Sequence, residues 1–337
     1  MVSMKDISKV CGVSVATVSK ALNDHSDIGE KTKHYIRKTA KEMGYFPNSS
    51  ARTLKTKRSN NLGLLFVEKS QSGLTHDYFI SVLDSIKDTA EARGYDITFI
   101  SGSEQRKDKM TYLEHSRYRG IDGAVIACVD FDSQEVRELA ASEIPVVTID
   151  HVLNNKMAIV SDNVLGMKEL FDYIYEQGHR KIAYIHGGDE SAVTRTRLAC
   201  FYKEAEERGL VIPEEYIKMA DYRNTELTAQ MTYELLDLPE PPTCILYPDD
   251  FAALGGFNAI RARGLRIPED ISIAGYDGIK LMQCIEPKLT TIKQDTKKIG
   301  QYAIEKLLAL IEKPRTTLIE QVRVPVRLEK GESVRKI

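Results

Sequence analysis

From Leu62 onward, short apolar runs alternate with helical patterns, and that alternation leaves few folds open. LGLLFV (62–67) precedes a helix at about 77–93, and ITFIS (97–101) precedes one near 107–118. GAVIA (123–127), a helix at 134–141 and VVTID (146–150) follow. After a helix at 163–177 the pattern restarts: KIAYIHG (181–187), a helix at 194–208, YIKMAD (216–221), a helix at 225–236, CILYPD (244–249), a helix at 250–263 and ISIAGYD (271–277). Short uninterrupted apolar strands between helices predict parallel sheets covered on both faces. The strand–helix order is written twice without residue-level repetition, so we expect two doubly wound lobes. Ligands of such lobes sit outside the carboxyl ends of the strands. The segment 287–295 with a helix at 295–311 is expected to cross back to the first lobe, and 320–328 to return to the second. The lobes would then be 61–161 with 291–319, and 162–290 with 320–337.

Residues 3–25 follow another grammar. Ile7 and Val10 fall three apart, Ser3 and Asp6 make a helix start, and Gly12 can close the helix with a positive φ. Ser14 is placed to cap a second helix with Val15, Val18 and Leu22 on one apolar side. Two short helices about a glycine-containing turn predict a helix-turn-helix, whose second helix enters the DNA major groove. A third helix is expected over 30–43, capped by Gly29, packed through Tyr35, Ile36, Thr39, Ala40 and Met43, and ended by Gly44. Pro47 forces extended backbone before a short segment, 49–57, that is too short for a stable isolated helix. That segment reads equally as a partner-dependent helix and as a basic linker.

Charge separates the two regions. Residues 1–58 hold 12 Lys+Arg against 5 acids, a balance of +7, while the chain as a whole is −2, so the remainder carries −9. A basic head on an acidic body predicts a polyanion partner for the head alone.

The run KDISKVCGVSVATVSKALN (5–23), then YFPN (45–48) and ARTLK (51–55), resembles the head of the lactose-repressor/galactose-repressor (LacI/GalR) family. GHRKIAYI (178–185), the stretch from Asp250 to Gly264, PEDISIAGYD (268–277) and PKLTTI (287–292) resemble its body, so the likeness spans about the whole chain in the family's order. It implies a helix-turn-helix domain (1–47), a hinge helix (48–60) and a periplasmic-binding-protein-like effector domain (61–337). The expected activity is ligand-controlled transcription regulation, most simply repression, by a homodimer on palindromic double-stranded operator DNA. DNA contacts would come from Ser14, Val15, Ala16, Thr17, Ser19, Lys20 and Asn23, and from Ser50, Leu54 and Lys57 on the hinge. Lys20 suits guanine O6/N7, Val15 or Ala16 a thymine methyl, and Leu54 a minor-groove wedge.

Polar groups at strand ends are the candidate effector contacts. Asp150, Asp250 and Asp277 stand at or just past apolar strands; Arg197 is expected in the first turn of its helix, and Tyr78 and Phe79 open theirs. Convergent carboxylates accept bonds from ligand hydroxyls, and a guanidinium donates two in a fork. For each Asp, helix N-capping is the competing role, and Asp250 is an obvious cap. The resemblance favours Arg197 and Asp277 most, then Asp150, Asp250, Tyr78, Phe79 and Tyr222. Cys200 departs from it, replacing a glycine three residues after Arg197. It implies a sugar or sugar phosphate as effector; a purine or nucleoside corepressor, or a protein coeffector, are the alternatives.

Other chemistry finds little support. Five scattered cysteines, Cys11, Cys128, Cys200, Cys244 and Cys284, lack C-x-x-C or metal spacing and read as buried thiols of a reducing cytoplasm. No catalytic constellation, cofactor loop, leader peptide or membrane span is legible, so neither an enzyme, a cofactor nor a membrane partner is expected. His179 and His186 read as surface or core histidines, and Glu204, Glu206, Glu207 and Arg208 as a solvated face. Without a trailing leucine heptad, a dimer is expected over a coiled-coil tetramer.

Overall fold

The structure, a computed structural model, describes residues 2–46, 58–67, 75–101 and 110–337. The chain divides into two units, Met1–Ser59 and Asn60–Ile337. The expected hinge segment and its residues Ser50, Leu54 and Lys57 lie outside the described residues.

The first unit holds α1 (Met4–Cys11), α2 (Val15–Leu22) and α3 (Glu30–Glu42). Ser3 and Asp6 form a reciprocal capping box on α1, and Gly12 ends it at φ +68, where glycine carries no Cβ penalty. Ser14 caps α2, accepting from Thr17 N at 3.0 Å. Ile7, Val18, Ala21, Ile36 and Ala40 make the core. Three expected packing residues turn outward: Val10, Val15 and Tyr35 are all exposed. Helices this short present a narrow stripe to a small core, which Val18 and Ala21 supply from α2, while the exposure of Val15 agrees with its other expected place on the DNA-reading face.

Among the described residues, the second unit contains two six-stranded sheets. The first, in spatial order, comprises β11 (Gln321–Val324), β5 (Met157–Ser161), β4 (Val146–Ile149), β3 (Gly123–Ala127), β1 (Asn61–Phe66) and β2 (Asp96–Ile100), all parallel. The helices α4 (Asp77–Ala92) and α11 (Thr296–Glu312) cover one face of it, while α5 (Tyr112–Tyr118) and α6 (Gln134–Ala141) cover the other. The second sheet runs β12 (Arg327–Glu329), β10 (Thr290–Lys293), β9 (Ser272–Asp277), β8 (Cys244–Leu246), β6 (Ile182–His186) and β7 (Ile217–Met219), with β12 antiparallel to β10. It packs α7 (Asn163–Glu176) and α8 (Ala192–Glu207) on one face, α9 (Thr225–Leu236) and α10 (Asp250–Ala262) on the other.

The lobe crossings differ from expectation. Thr290–Lys293 stays in the second sheet, so the crossing follows it, and Gln321–Val324 belongs to the first sheet, so the return comes at about Pro325. A four-residue apolar strand carries no mark of the sheet it joins, because its partners are distant in sequence. The strand Met157–Ser161 was not anticipated. Only Cys200 and Cys244 are buried; Cys11 and Cys128 are partly so, and Cys284 is exposed. Both His179 and His186 are buried, His179 between Thr243 Oγ1 (2.8 Å) and Arg335 O (3.1 Å). Glu204 is also buried rather than solvated, paired with Arg208 at 2.8 Å and Lys168 at 3.5 Å. No helix among the described residues is long and apolar enough to cross a membrane.

Candidate functional site

In the first unit, α2 exposes Ser14, Val15, Ala16 and Lys20, with Asn23 exposed just after it and Thr17 and Ser19 half-covered. This is the face opposite Val18 and Ala21, so the packing that builds the head turns these side chains outward. Several carry local bonds: Thr17 Oγ1 shares a hydrogen bond with Ser14 Oγ at 2.9 Å, Asn23 Nδ2 donates to Ser19 O at 2.7 Å, and Lys20 Nζ donates to Asp27.

In the second unit, a cleft of about 820 Å³ opens between the lobes at the carboxyl ends of the strands. Tyr78, Phe79, Asp150, Arg197, Tyr222 and Asp277 all line it. Asp150 directly follows β4 and Asp277 ends β9, one on each lobe. Both have left-handed backbones, φ +55 and φ +113, as do cleft residues Cys128 and Arg223. Strain of this kind in non-glycine residues is retained where the surroundings hold a side chain to a task.

Tyr78 Oη donates to Asp150 Oδ2 at 2.9 Å, and Asp150 Oδ1 accepts from Ser161 N at 3.1 Å. Burial pushes the Asp150 carboxyl above its ordinary value against those two bonds, and pushes the Tyr78 hydroxyl well up. Asp277 Oδ1 accepts from Gln294 Nε2 at 2.7 Å, and burial raises its carboxyl to about 8 despite the Arg197 guanidinium.

Arg197 lies in the second turn of α8, one turn later than expected, with its side chain almost wholly buried. Its Nε donates to Asn163 Oδ1 at 2.8 Å and Nη1 to Pro248 O at 3.1 Å, while Cζ sits 3.4 Å from the Tyr276 ring centroid. Burial opposes its charge, but Tyr276, Tyr222 and Asp277 more than offset this and raise its pKa. Tyr222 Oη shares a hydrogen bond with Thr194 Oγ1 at 2.9 Å.

Asp250 is a correction. It is fully buried, does not line the cleft and does not cap α10; Asp249 caps it, accepting from Ala252 N at 2.7 Å. Asp250 instead accepts from Thr291 Oγ1 at 2.6 Å and Ile279 N at 2.9 Å, tying α10 to β10 and the loop after β9. Gly275 makes room for it: a Cβ there would lie 2.3 Å from Asp250 Oδ1.

Other cleft residues were not singled out from the sequence. Phe131 and His151 stack face to face, centroids 3.9 Å apart and planes at 3°. Arg223, on the second lobe, reaches Asp77 Oδ2 at 3.1 Å and the Thr75 carbonyl at 3.3 Å on the first, and lies 4.0 Å from the Phe251 ring centroid. Its left-handed backbone is held by Asp249, which accepts from Arg223 N at 2.7 Å. The only sequence signal for these was their place in short loops after apolar strands.

The arrangement offers carboxyl groups from both lobes, a guanidinium from the second, and aromatic walls. It also predicts a pH dependence. Because the folded-state pKa of Asp277 is raised, its contribution is fully present below the ordinary carboxylate range and lost as pH climbs through about 8. In urea denaturation without ligand, wild-type stability relative to Asp277→Asn is expected to fall between about pH 4 and pH 8. A flat difference across that range contradicts the burial reading.

Residues 3–48 match the bacterial regulatory proteins of the lacI family, and 171–334 match a periplasmic binding protein-like domain. The chain is 33% identical over 345 residues to the probable HTH-type transcriptional repressor ExuR of Bacillus subtilis (strain 168), covering 100% of this chain and 99% of that one. The chain belongs to the lacI family. Another relative of this lacI-family regulator is the HTH-type transcriptional repressor CytR of Escherichia coli (strain K12), 30% identical over 318 residues, covering 91% and 89% of the two chains. Among solved structures it is similar to the lac repressor dimer bound to operator and the anti-inducer ONPF, with a TM-score of 0.85, 26% identity and 99% coverage of both chains. The lacI-family protein is thus a transcription regulator with a helix-turn-helix head and an effector-binding domain, as its motifs led us to expect.

Proposed function

We propose that this regulator is a repressor that binds a palindromic operator as a homodimer, with the exposed face of α2 in the major groove, under control of a small polyhydroxylated effector, a sugar or sugar phosphate, in the interlobe cleft. The observation that carries the ligand class is the pair Asp150 and Asp277, presented from opposite lobes beside Arg197. Both carboxyl groups are buried, Asp277 with its pKa raised to about 8, and ring hydroxyls can donate to them or accept from them. Tyr78 and Phe79 offer apolar surface to the ring. By touching both lobes, an effector favours one closure over another, and a difference of ~1–3 kcal/mol between the two states suffices for control.

A purine or nucleoside is the second reading, favoured by the stacked Phe131–His151 pair in the wall. Both readings are of a binding site and not an active site.

The test is a thermal-shift screen of the intact protein against sugars, sugar phosphates, purines and nucleosides. A ligand at about 100 times its dissociation constant stabilises the fold by roughly 2.7 kcal/mol. A shift with a sugar, lost in Asp277→Asn, supports the reading; a shift with purines alone replaces it by the second. Consumption of the bound ligand on prolonged incubation makes the site an active site.

A further inference from the structure

The head contains five acidic residues, and four of them serve α1 or α3. Asp6 completes the α1 capping box; Asp24 takes Lys33 at 3.0 Å and Arg37 at 2.8 Å; Glu30 takes Lys33 at 2.7 Å; Glu42 lies 3.9 Å from Lys38. Asp27 differs. From the loop between α2 and α3 it pairs with Nζ of Lys20, which belongs to the exposed face of α2. Both side chains are about half exposed, 47% and 52%, so the pair is not a core strut, and surface pairs of this kind add little to folding.

The loop that presents Asp27 is tied down at both ends. Asp24, with φ +60, is anchored to α3 by its two cations, and Gly29 stands at the N-cap of α3. The hydrogen bond from Lys20 holds the Asp27 carboxyl below the ordinary carboxylate value, so it is charged at neutral pH.

We propose that Asp27 is a specificity-determining residue of the DNA-reading face, holding the Lys20 ammonium for a neutral base edge and against a phosphate. This rests on α2 being the groove-entering helix. An ammonium has three donors; one given to Asp27 leaves two, which suit the O6 and N7 acceptors of guanine. A base edge is uncharged and tolerates the carboxylate beside the lysine. A phosphate in the same place sets an anion against the Asp27 carboxylate, and the contact forms only if Asp27 is displaced. Phosphate contacts position the protein without reading sequence, whereas base contacts specify. Asp27 therefore penalises the phosphate-bound mode of Lys20 more than the base-bound mode, a repulsive element that discriminates between partners.

The experiment uses the full-length protein, a duplex selected from random DNA by the wild type, and a scrambled duplex of the same composition. Affinity for each is measured across a salt series for wild type, Asp27→Asn, Lys20→Ala and the double variant, with unchanged thermal transitions as the folding check. For Asp27→Asn, the scrambled duplex is expected to bind about tenfold tighter and the selected duplex to change less than about threefold, so the specificity ratio drops. In the Lys20→Ala background, Asp27→Asn is expected to leave that ratio unchanged. A ratio unaffected by Asp27→Asn, or one that falls equally without Lys20, overturns the proposal and leaves only a diffuse charge effect. Separately, a Lys20→Ala variant that binds the selected duplex as well as the wild type removes Lys20 from base reading and overturns the α2 assignment on which the proposal rests.

Discussion

Arg197→Ala is expected to abolish the response to the effector while leaving the head's affinity for DNA intact. The guanidinium is buried, bonded to Asn163 Oδ1 and Pro248 O, and stacked on Tyr276, with the Asp277 carboxylate in its field. A charge-assisted hydrogen bond to a ligand is worth about 1.5–3 kcal/mol, so its loss alone weakens binding by roughly 10- to 150-fold. Removing the guanidinium also strands two buried neutral acceptors, Asn163 Oδ1 and Pro248 O, at about 1–3 kcal/mol each to the fold. Arg197→Lys keeps the charge but not the planar fork that serves Asn163 and Pro248 together, and is expected to fall between the two. Calorimetric titration with the effector and a DNA-binding assay on the same preparations check this. DNA binding is spared because the head has its own core of Ile7, Val18, Ala21, Ile36 and Ala40. An unaltered dissociation constant in Arg197→Ala removes the residue from the site.

Asp250→Ala is expected to act on stability rather than on ligand choice. The substitution leaves the Thr291 hydroxyl and the Ile279 amide without their shared acceptor in a fully buried setting. Each stranded donor costs about 1–3 kcal/mol, so a loss of roughly 2–6 kcal/mol is expected, a large part of a typical domain's 5–15. Chemical denaturation of the second unit gives the number, and the ranking of effectors measured below the new transition is expected to stay as in the wild type. A changed ranking with unchanged stability returns Asp250 to the ligand site.

Some of this was legible in the chain and some was not, for definite reasons. Asp150 and Asp277 were visible because each stands at or just past the end of an apolar strand, where such lobes collect ligands. Asp250 was misread because the register of a helix start cannot be read to one residue: Asp249 and Asp250 are adjacent, yet one caps and the other is sealed beneath Gly275. Arg223, Phe131 and His151 come from loops whose meeting depends on the whole fold. Glu204 looked solvated in an acidic run, but its partner Lys168 lies on α7, 36 residues earlier. The same non-locality moved TTIK and QVRV between lobes, since β pattern states that a segment pairs and not with which neighbour.

The lobes are joined three times, after Ser161, after Lys293 and after Val324. Two of these passages bend at an aspartate that at once caps a helix, Asp162 at φ −74, ψ 79 and Asp295 at φ −87, ψ 74. The first and third are stitched together where Asp162 N donates to Val324 O at 2.9 Å. A body tied in this way is mechanically redundant: cutting one passage leaves two covalent tethers and a hydrogen-bonded seam. The lobes can then turn against each other about a narrow waist but cannot drift apart, so the second half of the ligand site always returns to the first at high local concentration.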